Sequence, residues 1–314
     1  MEKVMNCSTR ILAALTLLGT IVVAQAASPL EPCRFKDDKK AAISLTFDGA
    51  SRKQYDFALP LLEKYNFKGT FYIPVNAIPN SPDDGVKAQN SPGWEDLKNI
   101  AAKGHELGNA SMNYYPVNQQ PEAKLPELIN APIAIIKEKT GVEVETFGLP
   151  AGGGTDAIRK MILEKHLGVS LWRIGFGSVK DSAKAEDIFE SRFARRDDVA
   201  LLINCNDASE FETFLKKLKS YEDQIWVDTY ASVCKYIILR DQGNLSIKSE
   251  NAGMITAELK SPRKETGKTE LTIRYNSPAA INVIQNGKPV KVVNENGSSR
   301  FNILPGEFTI NVSK

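Results

Sequence analysis

Four short stretches of this chain gather the residue types that perform acid–base or metal chemistry. They are Ser44-Leu45-Thr46-Phe47-Asp48-Gly49, Gly104-His105-Glu106-Leu107-Gly108-Asn109-Ala110-Ser111-Met112-Asn113-Tyr114, Thr146-Phe147-Gly148-Leu149-Pro150-Ala151-Gly152-Gly153 and Leu201-Leu202-Ile203-Asn204-Cys205-Asn206-Asp207. Asp48 closes an apolar run, where a carboxylate can take a proton during hydrolysis or cap nearby backbone amides. Paired with Glu106 it would suit glycoside hydrolysis. Asp48, Glu106, Asn113, Cys205 and Asp207 together would make an oxygen-rich set better matched to Ca²⁺ or Mg²⁺ than to zinc. Imidazole is scarce, with two histidines in the whole chain. His166 follows Leu163-Glu164-Lys165 at a helix end, where a cation is favourable, and reads as a surface or capping residue. No His-based triad or metal cage assembles from that stock. Gly152-Gly153-Gly154-Thr155 lacks a phosphate-binding fingerprint and reads as a turn with Thr155 as helix N-cap. Tyr114-Tyr115 and Trp172 either stack on sugar rings or pack in the core, and the sequence leaves both readings open.

These stretches need elements to hold them. Between about residues 40 and 240, apolar runs alternate with helical periodicity. The strand-like runs are 42–47, 69–75, 106–111, 144–149, 168–174, 199–204 and 224–228. Tyr55, Ala58, Leu59, Leu62 and Tyr65 share one helical face, as do Trp94, Leu97, Ile100 and Ala101, and Phe211, Phe214, Leu215 and Leu218. Val233, Ile237 and Leu239 form a weaker stripe. This alternation predicts a parallel sheet, and roughly seven units favour closure into a barrel. Function in such folds collects at the carboxyl ends of the strands, where the four stretches lie. After Gln242-Gly243 the helical period stops. Short alternating runs at 254–259, 270–275, 280–285, 290–293, 301–304 and 308–312 follow, separated by turn signals such as Asn286-Gly287 and Pro305-Gly306. About seventy residues of this kind predict a small antiparallel β-sandwich-like domain.

The first stretch resembles the Thr-Phe-Asp-Asp signature of the NodB-homology polysaccharide deacetylases, and the second their Gly-His-Glu-(Ile/Leu)-Gly-Asn-His-(Ser/Thr)-x-x-His motif. The helix at Trp94 and the segment around Trp226 also resemble that family, over about residues 40 to 240. The resemblance implies a distorted (β/α) barrel of about seven strands. It also implies hydrolysis of acetamido groups on sugar polymers by zinc or another divalent metal held by one Asp and two His. Asp48 stands at the general-base position. The metal Asp falls on Gly49, and the two metal histidines fall on Ala110 and Tyr114. Glycine and alanine offer no donor, and a neutral phenol is a poor zinc ligand. The family's Arg falls on Gly148, although Pro150 and Gly152 persist, and Asn204 or Asn206 stands nearest the position of the general-acid His. On this pattern His105 is structural. Glu106, Asn113, Pro150, Asn206, Asp207 and Trp172 would line a groove. The resemblance thus implies a deacetylase-like protein acting on or binding acetylated glycans, with impaired catalysis and no cofactor expected. Two alternatives stand beside it: an active deacetylase with a rebuilt or metal-free site, and a non-enzymatic glycan- or protein-binding module.

The chain divides into residues 1–26, 27–242 and 243–314. Lys3 and Arg10 precede an apolar run from Ile11 to Ala24, followed by Ala24-Gln25-Ala26, the pattern of a secretory signal peptide. The run is short for a membrane span, so the expected location is secreted or periplasmic, with no membrane span after the leader. Cys7 leaves with that leader, and an odd number of cysteines (Cys33, Cys205, Cys234) remains. Cys205 and Cys234 read as buried small hydrophobes. The 314 residues carry a net charge of +2, which excludes the basic excess of a nucleic-acid binder.

Overall fold

A computed structural model describes residues 28–80, 85–170, 173–175, 199–202, 207–295 and 297–313. The leader, Cys205, Trp172 and Asn206 lie outside them.

The chain opens with strand β1 (Leu30–Pro32), then alternates through β2 (Ala41–Asp48), α1 (Arg52–Tyr65), β3 (Gly69–Ile73), α2 (Val86–Asn90), α3 (Trp94–Ala102) and β4 (Glu106–Asn109). It continues with α4 (Leu125–Thr140), β5 (Thr146–Gly148), α5 (Asp156–Leu163), β6 (Gly168–Ser170), β7 (Arg173–Gly175), β8 (Val199–Leu202), α6 (Ala208–Ser220), β9 (Ile225–Val227) and α7 (Tyr230–Gln242). Strands β2 to β9 form one parallel sheet in the order β6-β5-β4-β3-β2-β8-β7, with β9 also on β2. The path ends on β6 and β7, which lie in one short stretch of chain. Gly168–Ser170 pairs with β5, and Arg173–Gly175 pairs with β8. The two ends of the sheet are therefore only a few residues apart in sequence, as in a distorted barrel. The distortion lies at β2, whose far edge is shared: Ala41–Ile43 pair with β9 and Ile43–Thr46 with β8.

The predicted helical stripes at α1, α3 and α6 are helices whose apolar faces bury against the sheet, and that at α7 is a helix with Val233 packed on Ala42 of β2. Helix α4 escaped the periodicity reading because Pro126 and Pro132 interrupt it. Its buried face, Leu125, Ile129, Pro132 and Ile136, still keeps helical spacing.

His105 occupies the amino end of the barrel. Its Nδ1 accepts the Gly69 amide at 3.0 Å, and its ring meets Phe71 edge-on. Nε2 lies 4.0 Å from Glu63. Burial, aided by Lys68 and Lys103 and opposed by Glu63, lowers its pKa from 6.5 to about 4. A base whose folded pKa is depressed contributes stability that is fully present above about pH 6.5 and lost as pH falls toward 4. The protein is expected to lose about 3 kcal/mol across that window from this residue alone. Urea unfolding of wild type and His105→Gln at pH 7 and at pH 4.5 checks this; an equal acid loss in both proteins would refute it.

The carboxyl-terminal residues build two antiparallel sheets, β1-β12-β16-β15 and β10-β11-β17-β13-β14. The strands are β10 (Asn244–Asn251), β11 (Met254–Lys260), β12 (Leu271–Tyr275), β13 (Ile281–Gln285), β14 (Lys288–Val290), β15 (Val292–Glu295), β16 (Ser298–Ile303) and β17 (Gly306–Val312). The fold is thus a distorted barrel followed by a sandwich-like domain. The run predicted at 290–293 is in fact two strands in different sheets. Val290 pairs with β13 and Val292 with β16, so Lys291 carries the chain across. Strand β1 belongs to the sandwich: Leu30 faces Tyr275 and Pro32 faces Ile273. Helix α7 spans both domains, because Tyr236 and Leu239 sit in the sandwich core and the Tyr236 hydroxyl donates to the Cys33 carbonyl at 2.9 Å. The link between the domains adopts left-handed backbone at Asp37 and Asp38 (φ 53° and 58°). Arg274 pairs with Asp38, Asn302 donates to Asp37 at 2.7 Å, and the Asp37 amide donates to Thr272 at 2.8 Å. Cys33 and Cys234 are buried free thiols.

Candidate active site and its plug

Asp48 ends β2 level with Tyr72 of β3, at the carboxyl face of the barrel. The chain leaves through left-handed backbone at Gly49 (φ 83°) and Ala50 (φ 51°), and the Gly49 amide donates to the Tyr72 carbonyl at 3.3 Å. A Cβ on Gly49 would meet nothing within 4 Å, so this position has room for a side chain that the sequence does not supply.

Across from Asp48, the chain leaves β4 as a strap. The Ala110 amide donates to Ile73, and its methyl group is fully buried. Ser111 takes left-handed backbone (φ 70°), and its amide N–H donates to Asn109 Oδ1 at 2.7 Å. The same Asn109 amide nitrogen donates to Ile129 O at 2.7 Å and meets His166 Nε2 at 3.2 Å. The ring of His166 bonds Ile162 O through Nδ1 at 2.9 Å and packs edge-on against Phe147. Nδ1 therefore carries the proton, and Nε2 accepts from Asn109. His166 does cap the end of α5, but it is 2% exposed and burial lowers its pKa. The expected surface cation is a buried neutral brace.

The strap then passes Met112, whose carbonyl accepts the Asn76 amide at 2.9 Å, and Asn113, whose side chain accepts from Asn76 at 2.9 Å. It delivers Tyr114 to the mouth. The Tyr114 hydroxyl donates to Asp48 Oδ2 at 2.8 Å. Burial pushes the phenol above its usual pKa, with the Ala151 backbone hydrogen bond acting against this. The phenol, 39% exposed, therefore stays protonated and donates to one oxygen of the carboxylate. Tyr115, 63% exposed, points into solvent.

The remaining candidates do not converge here. Glu106 opens β4 at the other end of the strand. It keeps a little accessible surface, but its carboxylate sits deep enough in the barrel for burial to raise its pKa. It accepts from Thr70 at 2.8 Å, from Thr146, and from the Ala231 amide in the first turn of α7 at 2.8 Å. It anchors a helix start and lines no groove at the mouth. Register places Asp48 level with Tyr72, two residues beyond the Thr70–Glu106 pair and two strands away, about 7 Å along the strands and about 10 Å across them. The two carboxylates do not form a glycosidase pair. Tyr72 stands on the strand between them. It is fully buried, and its ring lies so close to Gly108 and Gly148 that a Cβ on either would stand 2.4 or 2.5 Å from it. Pro150 is buried in a tight turn beneath the mouth. Asp207 is the N-cap of α6, accepting from Ser209 and Glu210 at 2.8 and 3.0 Å. Thr155 caps α5 through the Ile158 amide. Sequence reasoning missed Tyr72 and the Asn109–His166 brace. The glycines at 108 and 148 were the signal that a large ring lay over them.

Residues 35–172 match the family model for polysaccharide deacetylase. That match covers somewhat less than half of the chain and supports a place for its barrel in that family. Among curated proteins, the chain is similar to the uncharacterized protein YlxY of Bacillus subtilis, 25% identical over 145 residues, which is 46% of this chain and 42% of that one. The match therefore spans less than half of YlxY. Among solved structures it is similar to a putative polysaccharide deacetylase from Mycobacterium smegmatis (TM-score 0.51, 15% identity, 66% of this chain and 93% of the other). Another is BA3943, a CE4 family pseudoenzyme from Bacillus anthracis (TM-score 0.49, 17% identity, 63% and 66%).

The three positions that the motif resemblance assigns to the metal ligands, Gly49, Ala110 and Tyr114, offer no donor, a methyl group and a protonated phenol. Among the described residues no cluster of three or more His, Cys, Asp or Glu could hold a metal ion, and the residues present do not fit the Asp-His-His set. The Tyr72 ring over Gly148 also fills the space an arginine side chain would need at that position.

Proposed function

We propose that this protein is an exported, glycan-binding member of the polysaccharide deacetylases that does not catalyse metal-dependent deacetylation. One observation carries the reading: Tyr114, at a metal-histidine position, hydrogen-bonds the general-base position Asp48 at 2.8 Å, while Gly49 and Ala110 supply no ligand. Without a Lewis acid, nothing at this mouth polarises an acetamide carbonyl, and Asp48 accepts a proton donor where it would need to activate water. The family's substrates make acetylated glycans the expected ligands. The apolar run at Ile11–Ala24 with its small-residue cleavage pattern supports export, and among the described residues no helix is long and apolar enough to cross a membrane.

The test is acetate release from acetylated chito-oligosaccharides and peptidoglycan with added Zn²⁺, Co²⁺ or Ni²⁺. Wild type is expected to stay at the protein-free rate. Metal-dependent turnover abolished by Asp48→Ala would overturn the catalytic half of the proposal. Amino-terminal sequencing of the extracytoplasmic fraction tests export, and intact Met1 in the cytoplasm would refute it.

A further inference from the structure

Two adjoining clefts follow the junction between barrel and sandwich. One, of about 380 Å³, is walled by Trp226 of β9 and Asp228 just after it, by Ser232 of α7, and by sandwich residues that include Lys268 and Thr269. The other, of about 790 Å³, runs beneath the β13–β14 hairpin beside Lys39 and the outer face of β16. Glu270 and Leu304 line both clefts, so the two adjoin and act here as one groove, and Lys36 pairs with Glu270 at 3.3 Å.

The lining is polar and skewed toward positive charge, with seven cationic side chains against four carboxylates. Three of the cations are held by carboxylates: Lys36 by Glu270, Lys235 by Glu145 and Arg300 by Glu295. Lys268, Lys288 and Lys291 make no ion pair among the described residues. They stand toward opposite ends of the groove, so the unmatched charge extends along its length. Between them lie groups that recognise hydroxyls: the Asp228 and Glu265 carboxylates, the Ser232 and Thr269 hydroxyls and the Asn286 amide. Trp226 supplies an aromatic wall at one end. Carboxylates in the lining repel a purely acidic peptide but accept hydrogen bonds from sugar hydroxyls.

We propose that this junction groove binds an acidic oligosaccharide, one that carries carboxylates among its hydroxyls. The ligand class rests on the glycan-binding reading above; the site is distinct from the barrel mouth. Long-range attraction to the unpaired lysines makes binding salt-sensitive, and domain junctions commonly house such sites.

Calorimetric titration of the purified full chain with oligogalacturonate, chitohexaose and poly-glutamate tests the proposal. Oligogalacturonate is expected to bind, and to weaken at least about tenfold in the Lys288→Glu/Lys291→Glu variant and again at high salt. Lys268→Glu provides a second variant at the other end, with the same direction expected, and thermal melts confirm folding of each. Tyr114→Ala is expected to leave the affinity unchanged. Loss of binding on Tyr114→Ala, with the lysine variants unaffected, would move the ligand to the mouth and overturn the junction site while sparing glycan binding. Equal affinity for chitohexaose or for poly-glutamate would overturn the acidic-saccharide assignment. Binding of neither saccharide by wild type would overturn both readings.

Discussion

Zinc binding is expected to appear when Gly49→Asp, Ala110→His and Tyr114→His are combined, and not with any one of them. Each single change leaves fewer than the three protein donors that a catalytic zinc site uses. Together they place a carboxylate and two imidazoles around Asp48. The Gly49 backbone lies at φ 83°, which costs a non-glycine residue about 1 kcal/mol, though Asp tolerates this region better than most. Space is available, since nothing lies within 4 Å of a Cβ built there. A micromolar site corresponds to about 8 kcal/mol, well above that cost. Tyr114→His also removes the hydroxyl that occupies Asp48. The harder position is Ala110, which is fully buried, so the strap must shift to admit a ring there. The combined variant is expected to bind Zn²⁺ at least about a thousandfold more tightly than wild type, seen by calorimetry and as a zinc-dependent rise in melting temperature. Wild-type binding of equal strength would end the case for a silenced metal site. A folded combined variant with no zinc affinity would show that the strap cannot deliver ligands to Asp48.

The second large effect lies below the mouth. Gly108→Ala and Gly148→Ala each put a methyl group 2.4 or 2.5 Å from the Tyr72 ring, and that ring is fully buried with no exit. Overpacking of this severity costs about 3 kcal/mol, a large part of the stability of a typical domain. In a Tyr72→Ala background the same two substitutions should become nearly neutral, because the clash belongs to the pair. Denaturant midpoints for the four-way cycles provide the measurement. Equal costs with and without the tyrosine ring would mean that the glycines serve the backbone alone. The result bears on ancestry of the site as well, since an arginine at 148 and this tyrosine cannot share one space.

Much of this was legible in the chain. Strands alternate with helices at the spacing a parallel barrel requires, and every strand predicted before residue 240 has a counterpart. The positions around Asp48 were readable because motif spacing carries over to the ends of neighbouring strands. What stayed hidden depends on long-range contact. Glu106 follows His105 in a motif whose other end forms the mouth. The run at 106–111 places Glu106 at the start of its strand, but only the structure shows its carboxylate anchoring the first turn of α7. The orientation of Tyr114 toward Asp48 follows from Ser111 adopting left-handed backbone, a conformation serine rarely declares in sequence. The Asn109–His166 brace joins residues 57 positions apart, and no local pattern signals it. Proline inside α4 masked a sound amphipathic helix, and one lysine between two valines conceals a change of sheet.

The pairing of Leu30–Pro32 with a strand some 240 residues later makes the molecule indivisible at the place where its composition changes. Cutting the chain at Gly243 would strip the cover from Leu30 and Tyr236, which lie in a core shared with residues from the far side of the cut. The barrel that remained would carry an orphaned strand and an exposed helix face, an invitation to self-association. Synthesis imposes the same constraint in time: Leu30–Pro32 have no partner until Leu271–Tyr275 have been made, so the two strands become native together.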